Sequence, residues 1–456
     1  MDGQHTFAGR MRRLGVNKQV LALSGARMAD AFCNSLLIVL LPLYVVRIPR
    51  RGIFSDLPDE LLIGMLISLA GGMFALMQPV AATVSDRVGR RKPFIIGGLA
   101  ILGAATLGYI PADSYRALIA LRGLQGVGIA FTIPTALALI SDYADQRTVG
   151  GSMGVFTTMR MIGFAIGPLA GGLIMELVSF ETAFVTGAVG AALSIVMVVL
   201  FVPEVRVDEE AEMDAARRRM AAARAGEEGG RQHGLPEADC TGRGGETDRW
   251  GNDRCEVRWV MRQLYLMGGA VFVMAVGISL IAAVEPELNR RLGQTAVGFG
   301  VAFAMLTVAR FLTQIPIGRL SDEIGRKPLI VGGTIAMIPL TVLQGYAPTT
   351  FLLSIDRFLL GAATAAIVAP GYAMVADRAL PGLKVRQMSV MTMAFGLGVA
   401  AGPLFSGATA GIIDFHVPFL LGGAASAAAA VMIHLFIRES NPRTPAYTDS
   451  AEAAPG

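Results

Sequence analysis

Asp30 stands in the first apolar run of the chain, with Arg27 three residues before it and Asn34 four residues after. On a helix those spacings place all three on one face, a polar stripe along an otherwise apolar rod. At about 1.5 Å per residue, Asp30 lies roughly 15 Å from the start of that run, near the middle of any bilayer it crosses. An ionised carboxylate is costly there, so it must pair with a cation or accept a proton. A group poised between those states can exchange a proton for a bound molecule. The plain alternative is a static Arg27–Asp30 pair that fixes helix packing. Arg122 and Gln125, in the run Arg122-Gly-Leu-Gln-Gly126-Val-Gly128, pose the same question. A guanidinium does not lose its proton and must be paired or solvated. Arg122 either tunes a carboxylate or faces a ligand, or it braces helices through carbonyl oxygens. Arg310 lies deep in another run, with pore-facing and structural roles both open. Asp30 and Arg122 are thus the proton-coupling candidates, and Arg27, Asn34, Gln125 and Arg310 the cavity candidates. Arg160 and Glu176 rank behind them. Glu285 and Glu287, flanking Pro286, read as solvated rim residues.

These charges stand out because the rest of the chain is apolar. Of 456 residues, 53% are hydrophobic and only 16% charged, against about 25% charged in ordinary soluble domains; the mean hydropathy is +0.56. Apolar runs of about 20 residues recur, each long enough to cross a hydrocarbon core of roughly 30 Å, and twelve can be drawn. The pattern predicts an all-α membrane protein. No nucleophile–base pair, no metal-ligand constellation and no G-x-x-x-x-G-K-[ST] loop is visible, so neither an enzyme nor a cofactor or metal is expected. The formal charge of +4 is a sum over loops and gives no reason to expect nucleic acid. Cys33 reads as a small packing residue. Cys240 and Cys255, near His233, lack a fourth ligand and the spacing that zinc requires.

Two charged stretches punctuate the apolar runs. Residues 82–92 hold Ser85, Asp86, Arg87, Gly89 and Arg90; Ser321, Asp322, Gly325 and Arg326 return 236 positions later. Irregular charged sequence belongs at the water interface of a bilayer, where backbone groups can be hydrated. At an offset of 235, Arg122 matches Arg357, Gly126 matches Gly361 and Asp142 matches Asp377. The same offset carries Gly163, Gly167, Pro168 and Gly172 onto Gly398, Gly402, Pro403 and Gly407. The chain therefore reads as a duplication: twelve transmembrane helices in two pseudo-symmetric six-helix bundles. Parallel repeats of this kind are a transporter architecture with the ligand site near the midplane between them. The expected units are an N-terminal bundle (1–202), a linker (203–258) that is part helical and part disordered, a C-terminal bundle (259–438) and a disordered tail (439–456). Lysine and arginine collect on the side of both termini, which places both in the cytoplasm by the positive-inside rule.

The stretch at 82–92 resembles the signature loop between helices two and three of the major facilitator superfamily, G-x-L-A-D-R-x-G-R-K. Ala82 stands for its first glycine, and Glu323 replaces the basic residue in the second copy. Gly163, Gly167, Pro168, Gly171 and Gly172 resemble the fifth-helix motif G-x-x-x-G-P-x-x-G-G of the drug/proton antiporter branch, associated there with export. Arg122 to Gly128 resembles that branch's R-x-x-Q-G-x-G element. The resemblance implies a secondary transporter working by alternating access: proton-coupled export of small amphipathic or drug-like molecules, as a monomer in the cell membrane. Its partners would be a small-molecule substrate, protons and the lipid bilayer. A metabolite importer or proton symporter of the same fold is the first alternative, and a non-transporting scaffold a further one. The resemblance also gives Asp86, Arg87, Gly89, Arg90, Asp142, Asp322, Gly325, Arg326 and Asp377 a gating role. Asp86 would face the start of helix eleven near Gln387 and Met388, and Arg90 would reach Asp142. The glycines of the fifth-helix motif, with Gly398, Gly402 and Pro403, are the helix-packing set.

Overall fold

Each apolar run becomes a helix because a backbone without water must satisfy its own hydrogen bonds. The structure, a computed structural model, describes residues 17–49, 54–143, 149–204, 249–378 and 384–440. Six helices form the first half: α1 (Lys18–Val45), α2 (Asp59–Val88), α3 (Lys92–Gly108), α4 (Tyr115–Tyr143), α5 (Val149–Leu177) and α6 (Phe180–Phe201). The second half holds α7 (Arg249–Ser279), a short α8 (Glu285–Leu292), α9 (Ala296–Ile324), α10 (Arg326–Leu343), α11 (Thr350–Asp377), α12 (Lys384–Ile412) and α13 (Val417–Phe436). Among the described residues eleven helices have the length and apolarity to cross a membrane, and α3, at 17 residues, is the twelfth apolar rod.

Local chemistry sets the ends. The Asn17 side chain accepts from the Val20 amide at 2.8 Å to cap α1, and Thr349 accepts from Leu352 at 3.2 Å to cap α11; such caps satisfy amides a helix start leaves orphaned. Gly89 (φ 64°) and Gly325 (φ 107°) turn the chain between α2 and α3 and between α9 and α10, in a backbone region that favours glycine. α7 begins at Arg249, inside the stretch assigned to the part-helical linker, because a helix leaving the bilayer can continue into water without losing its hydrogen bonds. Glu439 and Ser440, the first residues assigned to the tail, make hydrogen bonds to Arg326, Lys327 and Asp377. Residues 205–248, most of the expected linker, lie outside the described residues.

The two halves repeat each other's packing. In the first, α1 packs on α5 and α6, α4 on α2 and α3, and α3 on α6; in the second, α7 packs on α12 and α13, α11 on α9 and α10, and α10 on α13. The halves meet through α2 with α12 and α5 with α9. A β-carbon placed on Gly300 would lie 2.7 Å from the Pro168 carbonyl oxygen, and one on Gly64 would collide with the Pro403 carbonyl. Gly172 faces Ala296 in the same way, Gly407 faces Glu60, and the Glu176 carboxylate accepts from the Val297 amide at 3.0 Å. All of these contacts lie at the end opposite the two signature loops. Towards the signature end, Gly154 of α5 and Gly318 of α9 have nothing among the described residues within 4 Å of a would-be β-carbon.

Candidate functional site

The Arg27 guanidinium donates to one carboxylate oxygen of Asp30. Asp30 is buried, and its other oxygen has no hydrogen-bond partner. Asn34 is half-buried one turn further along α1. The fifth-helix glycines press α5 onto this part of α1: a β-carbon on Gly163 would strike the Met28 carbonyl, and one on Gly167 would lie 2.7 Å from that of Phe32. Gly171 continues the stripe against Leu36, at 3.0 Å. Gly398 and Gly402, beside Pro403, repeat the arrangement on α12 against Phe272, Val276 and Ser279 of α7. Small residues let helix axes approach where lipid supplies no driving force.

Other helices bring charge to the same level. Arg160 of α5 lies in the neighbourhood of Arg27 and Asp30 and of Arg310 and Tyr372. Arg310 of α9 sits over the Phe395 ring of α12, its guanidinium carbon 5.5 Å from the centroid, and Tyr372 of α11 meets Thr392 at 3.2 Å. Counted from the signature ends of their helices, Arg27, Asp30, Arg160 and Arg310 lie at roughly 14–21 Å, at about 1.5 Å per residue. The structure thus keeps Arg27 and Asp30 paired, sets Arg160 between that pair and Arg310, and adds Tyr372 and Phe395 on the Arg310 side. Arg160 had a readable signal, for it stands three residues before Gly163 on the stripe that faces α1. Tyr372 and Phe395 had none, since packing of distant helices places them.

Arg122 belongs to a separate network inside the first half. It is buried and donates to the Gln125 amide oxygen at 3.1 Å, which also accepts from the Tyr109 hydroxyl at 2.8 Å; the Gln125 amide nitrogen donates to Thr106 at 3.0 Å. Arg357 does the same work in the second half, donating to Gln344 and to the Ile278 carbonyl, each at 2.9 Å. Both arginines tie neighbouring helices within one half.

At the signature end, Arg326 pairs with Asp377 at 2.6 Å and with Asp322 at 3.5 Å, and Asp377 also accepts from Ser440 at 3.0 Å. In the first loop Arg87 and Arg90 are exposed, while Arg91 is buried. Three residues separate Gly89 from Pro93 but only two separate Gly325 from Pro328, so Arg91, not Arg90, occupies the position of Arg326. The side chains of Asp86 and Asp142 lie outside the described residues. Sequence reading missed a pair of carboxylates here. Glu204 accepts from the amides of Arg91 (3.1 Å) and Lys92 (3.4 Å), and Glu439 accepts from those of Arg326 (3.1 Å) and Lys327 (2.8 Å). Each clamps the end of a half to the start of its third helix, where the helix dipole favours negative charge. The offset of 235 maps one onto the other, which was a usable signal.

Glu285 corrects an expectation. It is wholly buried at the start of α8 and is no rim residue; burial pushes its carboxyl well above the usual range, opposed in part by Asn289. Glu287 is half-buried and ion-paired, holding Arg290 and, at 2.6 Å, Arg291.

Two repeated bundles of membrane-spanning helices, joined at one end around a charged centre, define a multi-pass secondary transporter. The sequence profile of the Major Facilitator Superfamily matches residues 23–231 and 267–455, and the chain belongs to that family. The multi-drug resistance efflux pump PmrA of Streptococcus pneumoniae is 24% identical over 361 residues, 78% of this chain and 81% of the pump. The class C tetracycline resistance protein of Escherichia coli is 31% identical over 160 residues, 34% of this chain and 40% of its own. A D-xylose–proton symporter has the same fold, with a TM-score of 0.68 at 15% identity, covering 94% of this chain and 98% of that one.

Proposed function

We propose that the protein exports small amphipathic molecules across the cell membrane in exchange for protons, as a monomer with both termini in the cytoplasm. The observation that carries this reading is the buried Arg27–Asp30 pair, set at mid-helix where the halves face each other. Asp30 takes and releases the proton, and Arg27 holds its ionised form. The complete fifth-helix motif supports the direction, as does the similarity to a multi-drug resistance efflux pump. With the signature loops on the cytoplasmic side, the contacts at the opposite end close the outer mouth, and the structure is an inward-facing state. Opening outward would break α2–α12 and α5–α9 contacts such as Gly64–Pro403 and Gly300–Pro168 and draw the signature loops together. There Asp86, and Arg91 with Asp142, would hold the inner gate as Arg326 and Asp377 are held in the second half. Proteoliposomes with an imposed pH gradient test the reading. Dye accumulation driven by protons moving the other way is expected; accumulation that follows the protons would replace it with a symporter.

A further inference from the structure

The central cluster is out of electrical balance. Arg160 lies near the Arg27–Asp30 pair on its own half and near Arg310 on the other, and among the described residues the one carboxylate in this neighbourhood, Asp30, is bonded to Arg27. Neither Arg160 nor Arg310 has a carboxylate partner among the described residues, and the buried Arg310 Nε has no hydrogen-bond partner. An arginine deep in a membrane protein is costly unless something compensates its charge, and like charges held together at low dielectric repel. The two stand on opposite halves, Arg160 on α5 and Arg310 on α9. One turn beyond Arg160 and two turns beyond Arg310, Phe164 and Phe303 meet across the halves with ring centroids 6.0 Å apart. Phe395 lies against Arg310.

We infer that the cargo is an amphipathic organic anion. Its carboxylate, sulfonate or phosphate bridges Arg160 and Arg310, and its apolar body lies along the phenylalanine side chains. Guanidinium groups bind such oxyanions through paired N–H donors, so each half contributes one arm of the recognition. The bridge also removes the repulsion that opposes drawing α5 and α9 together, so a bound anion favours passage through the occluded state. This inference rests on the cargo binding between the halves at the level of Asp30, as the proposed exchange requires, and it holds for either direction of transport.

The test is binding by the purified full-length protein of three anions (carboxyfluorescein, taurocholate and benzoate) and two cations (ethidium and tetraphenylphosphonium), followed by flux in proteoliposomes. At least one anion should bind, and both cations should bind at least tenfold more weakly. Arg160→Gln and Arg310→Gln should each weaken the anion at least tenfold, and Arg310→Lys should recover most of that loss. Preference for the cations, no binding by any of the three anions, or anion binding unchanged in both glutamine variants would overturn the inference. Should a glutamine variant fail to fold, the lysine variant and the anion–cation comparison on the unaltered protein still decide. Anion flux that follows the proton gradient instead of opposing it would overturn the exchange reading and leave anion recognition standing.

Discussion

Gly167 offers the sharpest test of how α5 holds the proton site. A β-carbon there would lie 2.7 Å from the Phe32 carbonyl oxygen and 2.9 Å from the Leu36 amide nitrogen, and would collide with the Ser35 hydroxyl. Ordinary contacts of this kind lie near 3.5–4.0 Å, so a single methyl requires the helices to part by roughly 1 Å. Two of the three obstacles are backbone atoms that no rotamer change can move. Over-packing usually costs about 1–3 kcal/mol, and the rigid obstacle places Gly167→Ala near 2 kcal/mol, a large share of a marginal stability. Leucine carries three more carbons into the same gap, and its cost exceeds that range. Phe32 is two residues from Asp30, so any retreat of α1 displaces the carboxylate as well. The alanine variant should insert, melt several degrees lower in detergent and transport slowly; the leucine variant should insert and not transport. Fluorescence-detected chromatography, thermal melts and gradient-driven dye flux measure the three properties. A leucine variant that melts and transports like the unaltered protein would refute the reasoning, because α1 and α5 could not then cross at Gly167.

Asp30→Asn should abolish gradient-driven transport while leaving the fold intact, as read by active uptake in proteoliposomes; uptake at the original rate would remove Asp30 from the coupling step. Glu285 makes stability depend on pH. Its contribution is fully present below about pH 4.3, the ordinary glutamate value, and is lost as pH rises towards its raised folded-state value, because the folded protein must then bury a charge. Glu285→Gln should therefore match the unaltered protein in acid and melt at a higher temperature in alkali; an unchanged pH profile in the variant would argue against this. In the first signature loop, Arg91→Ala should lower thermal stability and shift spin-label distances between the halves, while Arg90→Ala should do little. Equal effects of the two would mean that the extra residue in that loop has not moved the arginine's role.

The architecture was legible because hydropathy marks helices that have no alternative in lipid, and because the duplication repeats rare residues at a fixed spacing. Asp30 and Arg27 were legible for a related reason, since a charge in an apolar run must be compensated and its helical neighbours are known. Arg160, Arg310 and Tyr372 converge from α5, α9 and α11, and their meeting depends on how helices far apart in sequence pack. The correspondence of Arg91 with Arg326 was hidden because the two loops differ in length, a detail that matching glycine to glycine conceals. Glu285 was misread because two glutamates around a proline look alike in sequence, while the local fold buries one wholly and pairs the other with Arg290 and Arg291.

The paired clamps of Glu204 and Glu439 have a consequence for biosynthesis. Each ties the last residues of a half to the start of its own third helix, so no half is fastened until its sixth spanning helix has been threaded into the bilayer. The first clamp can close while the second half is still being translated, and nothing in it waits for later sequence. The chain should thus assemble as two successive modules, each locked on completion, that dock afterwards along α2–α12 and α5–α9. A gene divided within the codons for residues 205–248 should still yield the protein, as two polypeptides that find each other in the membrane.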